Sequence, residues 1–120
     1  MAYILIIDDE DTIRVLLRSV LEAEGYEVAE ASNGRQGLDR YRHRPADLVI
    51  TDILMPEMNG LDMLLELTRE FLDAKVIAIS GAGGEENALD VAALLGARQT
   101  FQKPFDMPQL LGAVRYELGH

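Results

Sequence analysis

The chain has 120 residues, 48% hydrophobic and 27% charged, which suits one packed domain over residues 1–120 and argues against global disorder. Its formal net charge of −10 disfavours non-specific contact with nucleic acid or an anionic membrane and favours cations and basic partner surfaces. With no Cys and only two His, at positions 43 and 120, disulfides, thiol chemistry and imidazole-built metal sites are excluded.

Tyr3 to Ile7 is a short aliphatic run that suits a strand buried on both faces, and it stops at Asp8-Asp9-Glu10-Asp11. Ile13, Leu16, Leu17, Val20 and Leu21 then repeat at helical spacing, with acids at the positive end of the helix dipole and Gly25 as the stop. Glu27 to Ala31 alternates as a second, more exposed strand. Asn33-Gly34 reads as a turn, Gln36 to Arg44 as a helix, and Pro45 as its end. Leu48 to Asp52 opens an apolar run that ends before Pro56 and Asn59-Gly60. Gly60 to Leu72 reads as a helix with a stripe at 61, 64, 65, 68, 71 and 72. Lys75 to Ile79 is a fourth strand ending at Ser80, followed by the glycine-rich Gly81-Ala82-Gly83-Gly84. Glu85 to Leu95 is a helix closed by Gly96, and Arg98 to Gln102 a short strand ending at Lys103-Pro104. Asp106 can cap a last helix striped by Leu110, Leu111, Val114 and Leu118.

Strand and helix thus alternate five times. This predicts an α/β doubly wound parallel sheet with helices on both faces, the first and third strands central and the second and fifth nearer the edges. The expectation is a single domain with no linker, second domain or membrane-inserted segment, in the cytoplasm.

In a parallel sheet the C-terminal strand ends share one edge. Asp8, Asp9, Asp52, Ser80 and Lys103 would therefore gather there, and with strand order 2-1-3-4-5 the acids would line the crevice at the switch point. Each residue alone has an ordinary reading: helix-start acids, a turn acid, a loop serine, a solvated lysine. Together they need a different one. Three carboxylates in one place repel and require a cation. Oxygen ligands alone select a hard metal, Mg²⁺ first, with Mn²⁺ or Ca²⁺ as substitutes. Lys103 supplies a compact charge for a phosphoryl oxygen, Ser80 a hydroxyl and Asp52 a nucleophilic carboxylate that can form an acyl phosphate.

The Asp8-Asp9 pair, Asp52 followed by Met55-Pro56-Glu57-Met58-Asn59-Gly60, Ser80-Gly81, Gly96-Ala97 and Lys103-Pro104-Phe105 together resemble the receiver domain of two-component response regulators. The likeness spans the whole chain and implies the flavodoxin-like strand order. It implies that Asp52 accepts a phosphoryl group from a sensor histidine kinase or histidine phosphotransfer protein. It also implies that Asp9, Asp52 and the Leu54 backbone carbonyl bind Mg²⁺, with Asp8 acting through a metal-bound water. Lys103 would pair with the phosphoryl group. Ser80 would follow that group inward and reshape the face of the fourth helix, fifth strand and fifth helix, which meets a downstream protein target. The bond before Pro104 would be cis. Such a module is not a turnover enzyme, does not touch nucleic acid directly, and acts as a monomer or a phosphorylation-dependent dimer.

Two positions depart from the family pattern, and two more bear on the phosphoryl site. Thr100 stands where the family often has an aromatic switch residue, and alternation turns the neighbouring Phe101 to the opposite face. Gly81 replaces the usual Ala and should loosen the loop. Leu54 and Ala82 flank the phosphoryl site with apolar groups that position no hydrolytic water, so the acyl phosphate should persist and Leu54→Asn should shorten its life. The alternative reading is an Asp-nucleophile Mg-dependent phosphohydrolase. That type carries a second Asp two residues after its nucleophile on the first strand, where this chain has Glu10.

Overall fold

The computed structural model describes residues 1–53, 60–81 and 88–119. Leu54, Ala82, the Met55–Asn59 motif and the start assigned to the fourth helix lie outside those residues. Strands β1 (Tyr3–Ile7), β2 (Glu27–Ala31), β3 (Leu48–Asp52), β4 (Val76–Ser80) and β5 (Gln99–Gln102) alternate with helices α1 (Asp11–Ala23), α2 (Gly34–His43), α3 (Gly60–Glu70), α4 (Ala88–Leu94) and α5 (Met107–Gly119). All strand pairs are parallel, in the order β2-β1-β3-β4-β5. The central strands β1, β3 and β4 are buried along their whole length, which is why they read as continuous apolar runs.

Side-chain alternation splits the core in two. Tyr3, Leu5, Ile7, Val49 and Val76 face α2, α3 and α4. Ile4, Ile6, Leu48, Ile50 and Ile77 face α1 and α5. On β5, Thr100 is exposed while Phe101 packs into the second cluster, so the aromatic does turn away from the Thr100 side.

Several stripes differ from expectation. On α1 only Leu17 and Leu21 are fully buried, and Leu16 is exposed with Val15, because α1 rests on an edge of the sheet through a narrow seam. On α3 the buried set is Gly60, Met63, Leu64 and Leu67, one position earlier than read, and the helix stops at Glu70, leaving Leu72 outside it and exposed. Asn33-Gly34 is a helix start: Asn33 caps α2 by accepting from the Gln36 amide at 2.8 Å, and the Gln36 side chain accepts from the Ser32 amide at 2.7 Å. On α5 the buried face includes Glu117, whose carboxylate accepts from Gln99 Nε2 at 2.9 Å; sequence spacing had favoured Leu111 and Leu118, which are half-buried.

Gly25 and Gly96 close α1 and α4 with φ of 92° and 117°, where a side chain is strained. After α1 the Gly25 amide donates to the Glu22 carbonyl at 3.0 Å and the Tyr26 amide to Leu21 at 3.2 Å, the paired bonds of a Schellman stop. Gly81 has no such need: its φ is not positive and, among the described residues, nothing lies within 4 Å of an added Cβ. Gly81→Ala is therefore expected to raise stability by about 0.5 kcal/mol by restricting the unfolded chain. Urea denaturation checks this, and a loss of stability would show that the folded chain uses the glycine.

Candidate functional site

Register sets the site. Ile7 pairs with Thr51, so Asp8 and Asp52 leave the sheet side by side; Ser80 pairs with Gln102, so Lys103 follows one residue on. Asp8, Asp52 and Ser80 are all buried. The Lys103–Pro104 bond is cis, as the resemblance implied.

Lys103 is the hub. Its Nζ donates to Asp8 Oδ2 at 3.1 Å, Asp52 Oδ2 at 3.2 Å and Glu10 Oε1 at 2.9 Å. Its backbone amide donates to the Ser80 carbonyl at 2.7 Å, tying β5 to β4 beneath the site. The Asp8 carboxylate also accepts from the Glu10 amide at 2.8 Å, and the Asp8 carbonyl accepts from Arg14 at 2.7 Å. These bonds fix the turn between β1 and α1 and bring Glu10 over Lys103.

The electrostatics follow from this crowding. Burial, reinforced by the negative charge of Asp52, raises the Asp8 carboxyl above its ordinary value, although the Glu10 amide and Lys103 pull the other way. Burial would lower the Lys103 ammonium, but its bond to Glu10 and the charges of Asp8 and Asp52 outweigh that, and its pKa is raised. The site therefore holds a firmly charged lysine among acids that repel one another.

One carboxylate oxygen each from Asp8, Glu10 and Asp52 lies within 4.8 Å of the others. Asp9 is exposed and outside this group. Of the residues anticipated from sequence, the fold thus brings Asp8, Asp52 and Lys103 together, sets Ser80 at the same edge, and leaves Asp9 facing solvent. Glu10 was missed, since an acid at a helix start reads as a dipole partner. The usable signal was its spacing from Asp8, because an Asp side chain readily accepts from the amide two residues on. The donor set is all carboxylate oxygen, which fits a hard divalent cation such as Mg²⁺.

The response regulator receiver domain model matches residues 4–115. The chain is 37% identical to the chemotaxis protein CheY of Thermotoga maritima over 112 residues, 92% of each chain. It is also 37% identical to sporulation initiation phosphotransferase F of Bacillus subtilis, over 93% of this chain and 90% of that one. Among solved structures it is similar to the response regulator TrrA of Thermotoga maritima in complex with Mg(2+)-BeF, with TM-score 0.87 and 34% identity over 98% of this chain and 99% of that one. A receiver domain protein from Clostridium thermocellum gives TM-score 0.90 and 35% identity, covering 99% and 95% of the two chains.

Proposed function

The chain belongs to the response regulator receiver domain family, whose members are phosphoacceptor signalling modules, and from that premise we propose that Asp52 is the residue that takes the phosphoryl group. The donor is a phosphohistidine on a sensor kinase or histidine phosphotransfer protein. An Asp52 oxygen bonds to phosphorus as the P–N bond breaks, and the electron pair leaves on the imidazole nitrogen, giving an acyl phosphate.

One observation carries the assignment: the Asp52 carboxylate is buried, 3.2 Å from the Lys103 ammonium and beside Asp8. A buried acid with a cation at that distance is aimed, as a nucleophile must be. Lys103 then has a new anion to meet, a phosphoryl oxygen on Asp52, and can leave Glu10 for it. Asp8, Asp9 and Asp52, with the Leu54 carbonyl, are the proposed holders of Mg²⁺, and Glu10 competes for Lys103 while the metal is absent. When bound, Mg²⁺ supplies positive charge beside the transferring oxygens. Ser80, buried at the end of β4, is the proposed hydroxyl donor to a phosphoryl oxygen. Because Thr100 is exposed and Phe101 faces the other core, no aromatic on β5 relays the change. The output is carried by the Ser80 end of β4 to the α4–β5–α5 face and from there to a protein target.

The test is intact-mass spectrometry after incubation with acetyl phosphate and Mg²⁺. One added phosphoryl group is expected, absent in Asp52→Asn and without Mg²⁺. Steady turnover of phosphomonoesters by the unmodified chain would instead establish the phosphohydrolase. Mg²⁺ alone is expected to raise the melting temperature, by the equivalent of about 2.7 kcal/mol at a hundredfold excess over Kd. A melting temperature indifferent to Mg²⁺ would remove the metal from the proposal.

A further inference from the structure

At the opposite edge of the sheet, where strands begin, lies a cavity of about 700 Å³. That volume is in the range of small-molecule sites. Its walls come from the segments leading into β1, β3 and β4, together with the end of α2 and Leu118 of α5. It shares no residue with the carboxylate cluster around Lys103.

The lining has two parts. Tyr41 and Phe71 form an aromatic corner, with centroids 4.8 Å apart and planes at 67°. Asp47 and Asp73 supply the charge. Asp47 uses Oδ2 to accept from the Tyr3 amide at 2.7 Å, and among the described residues no bond engages its other oxygen. Asp73 is exposed and has neither a hydrogen bond nor an ion pair among the described residues. The one cation in the wall, Lys75, is committed elsewhere: its Nζ donates to the Glu117 carbonyl at 2.6 Å, at the end of α5.

Tyr41 is the independent sign of a ligand. It is only 4% exposed, yet its hydroxyl has no hydrogen-bond partner among the described residues. Among the described residues every fully enclosed side-chain oxygen or nitrogen has a partner, so this hydroxyl opens onto the cavity that Tyr41 lines. Burial, with Asp73 and Asp47 adding to it, raises the Tyr41 pKa, so the hydroxyl stays neutral near both carboxylates. Opening onto the cavity, the hydroxyl offers a bonding position that a guest or water can take.

We propose that this cavity binds a small organic cation, its ammonium or guanidinium group between Asp47, Asp73 and the Tyr41 hydroxyl and its apolar body against Tyr41 and Phe71. The hydroxyl oxygen accepts from the cation, the free carboxylate oxygens pair with it, and the aromatic corner excludes water around its stem. A bare metal ion would leave the apolar wall unused.

Phenethylammonium is the probe, titrated into the ¹⁵N-labelled full chain by NMR, with 3-phenylpropionate and MgCl₂ in parallel. Expected are saturable shifts confined to amides around Asp47 and Phe71–Lys75, at least tenfold weaker binding in Asp73→Asn, and several-fold weaker binding in Tyr41→Phe. Asp73 has no hydrogen bond or ion pair among the described residues, so that variant tests binding without unfolding. Shifts that do not saturate, that match those from 3-phenylpropionate or MgCl₂, or that survive Asp73→Asn unchanged overturn the proposal.

Discussion

Lys103→Met is expected to destabilise the metal-free protein by about 3 kcal/mol at neutral pH, because removing one partner of a buried ion cluster strands the others. The stranded groups are Asp8, Glu10 and Asp52, whose carboxylate oxygens lie within 4.8 Å of one another. Lys103 bonds to all three and its side chain is only 13% exposed, so solvent cannot replace it cheaply. In a domain of this size that loss lowers the melting temperature by roughly 10 °C. Mg²⁺ should restore much of it, and the variant should respond to Mg²⁺ more than the parent does. A variant as stable as the parent without metal would mean that the three acids do not repel as their spacing implies.

The pH dependence has a definite sign. Asp8 has a folded pKa above its unfolded value, so folding binds its proton more tightly, and its ionisation costs stability as pH rises through the folded value. Removing the Lys103 charge pushes Asp8 higher still. The gap between Lys103→Met and the parent should therefore narrow as pH falls through the carboxylate range. Lys103 itself has a raised pKa, so its contribution is full below the ordinary lysine value and is lost only as pH climbs through the raised one. The gap should hold across neutral and mildly alkaline pH. Urea denaturation at several pH values tests both limbs, and a gap that widens on acidification would contradict the account.

How much of this was legible in the sequence depended on how many faces each element buries. Strands β1, β3 and β4 are buried on both faces, so their positions and polar ends could be read from apolar runs, while the full strand order came from the family resemblance. From the ends of those strands followed Asp8, Asp52 and Ser80, while Lys103 followed from the end of the shorter, half-exposed β5. Helices were harder because apolar residues sit on more than one side: Leu16 and Leu72 are exposed while Met63 and Leu67 are buried. The choice among the acids after β1 was illegible for a different reason. Asp8, Asp9, Glu10 and Asp11 are alike in charge, and only the turn geometry decides which reach Lys103. The Glu10 amide binds Asp8, which turns Glu10 inward and leaves Asp9 facing solvent. Buried Glu117 and the cavity near Tyr41 arise from contacts between segments far apart in sequence, which no local pattern records.

Gly60→Ala is expected to be the most damaging single-methyl addition at the site, costing about 3 kcal/mol and slowing phosphoryl uptake about 100-fold. A Cβ there would stand 2.5 Å from the Asp52 carbonyl oxygen, 2.6 Å from the Ile53 Cα and 2.8 Å from the Ile53 carbonyl oxygen. These are backbone atoms and cannot rotate aside. The Gly60 amide also donates to the Ile53 carbonyl at 2.8 Å, which holds the start of α3 against the end of β3. To admit the methyl, either that bond opens or the end of β3 shifts, and a shift carries the Asp52 carboxylate away from Lys103 and Asp8. Gly81→Ala, with no described residue within 4 Å of its Cβ, is the matched reference. The two variants should part in both melting temperature and the rate of mass gain with acetyl phosphate. Should Gly60→Ala keep the parent's stability and uptake rate, the close approach of α3 to Asp52 would not be what positions the acceptor.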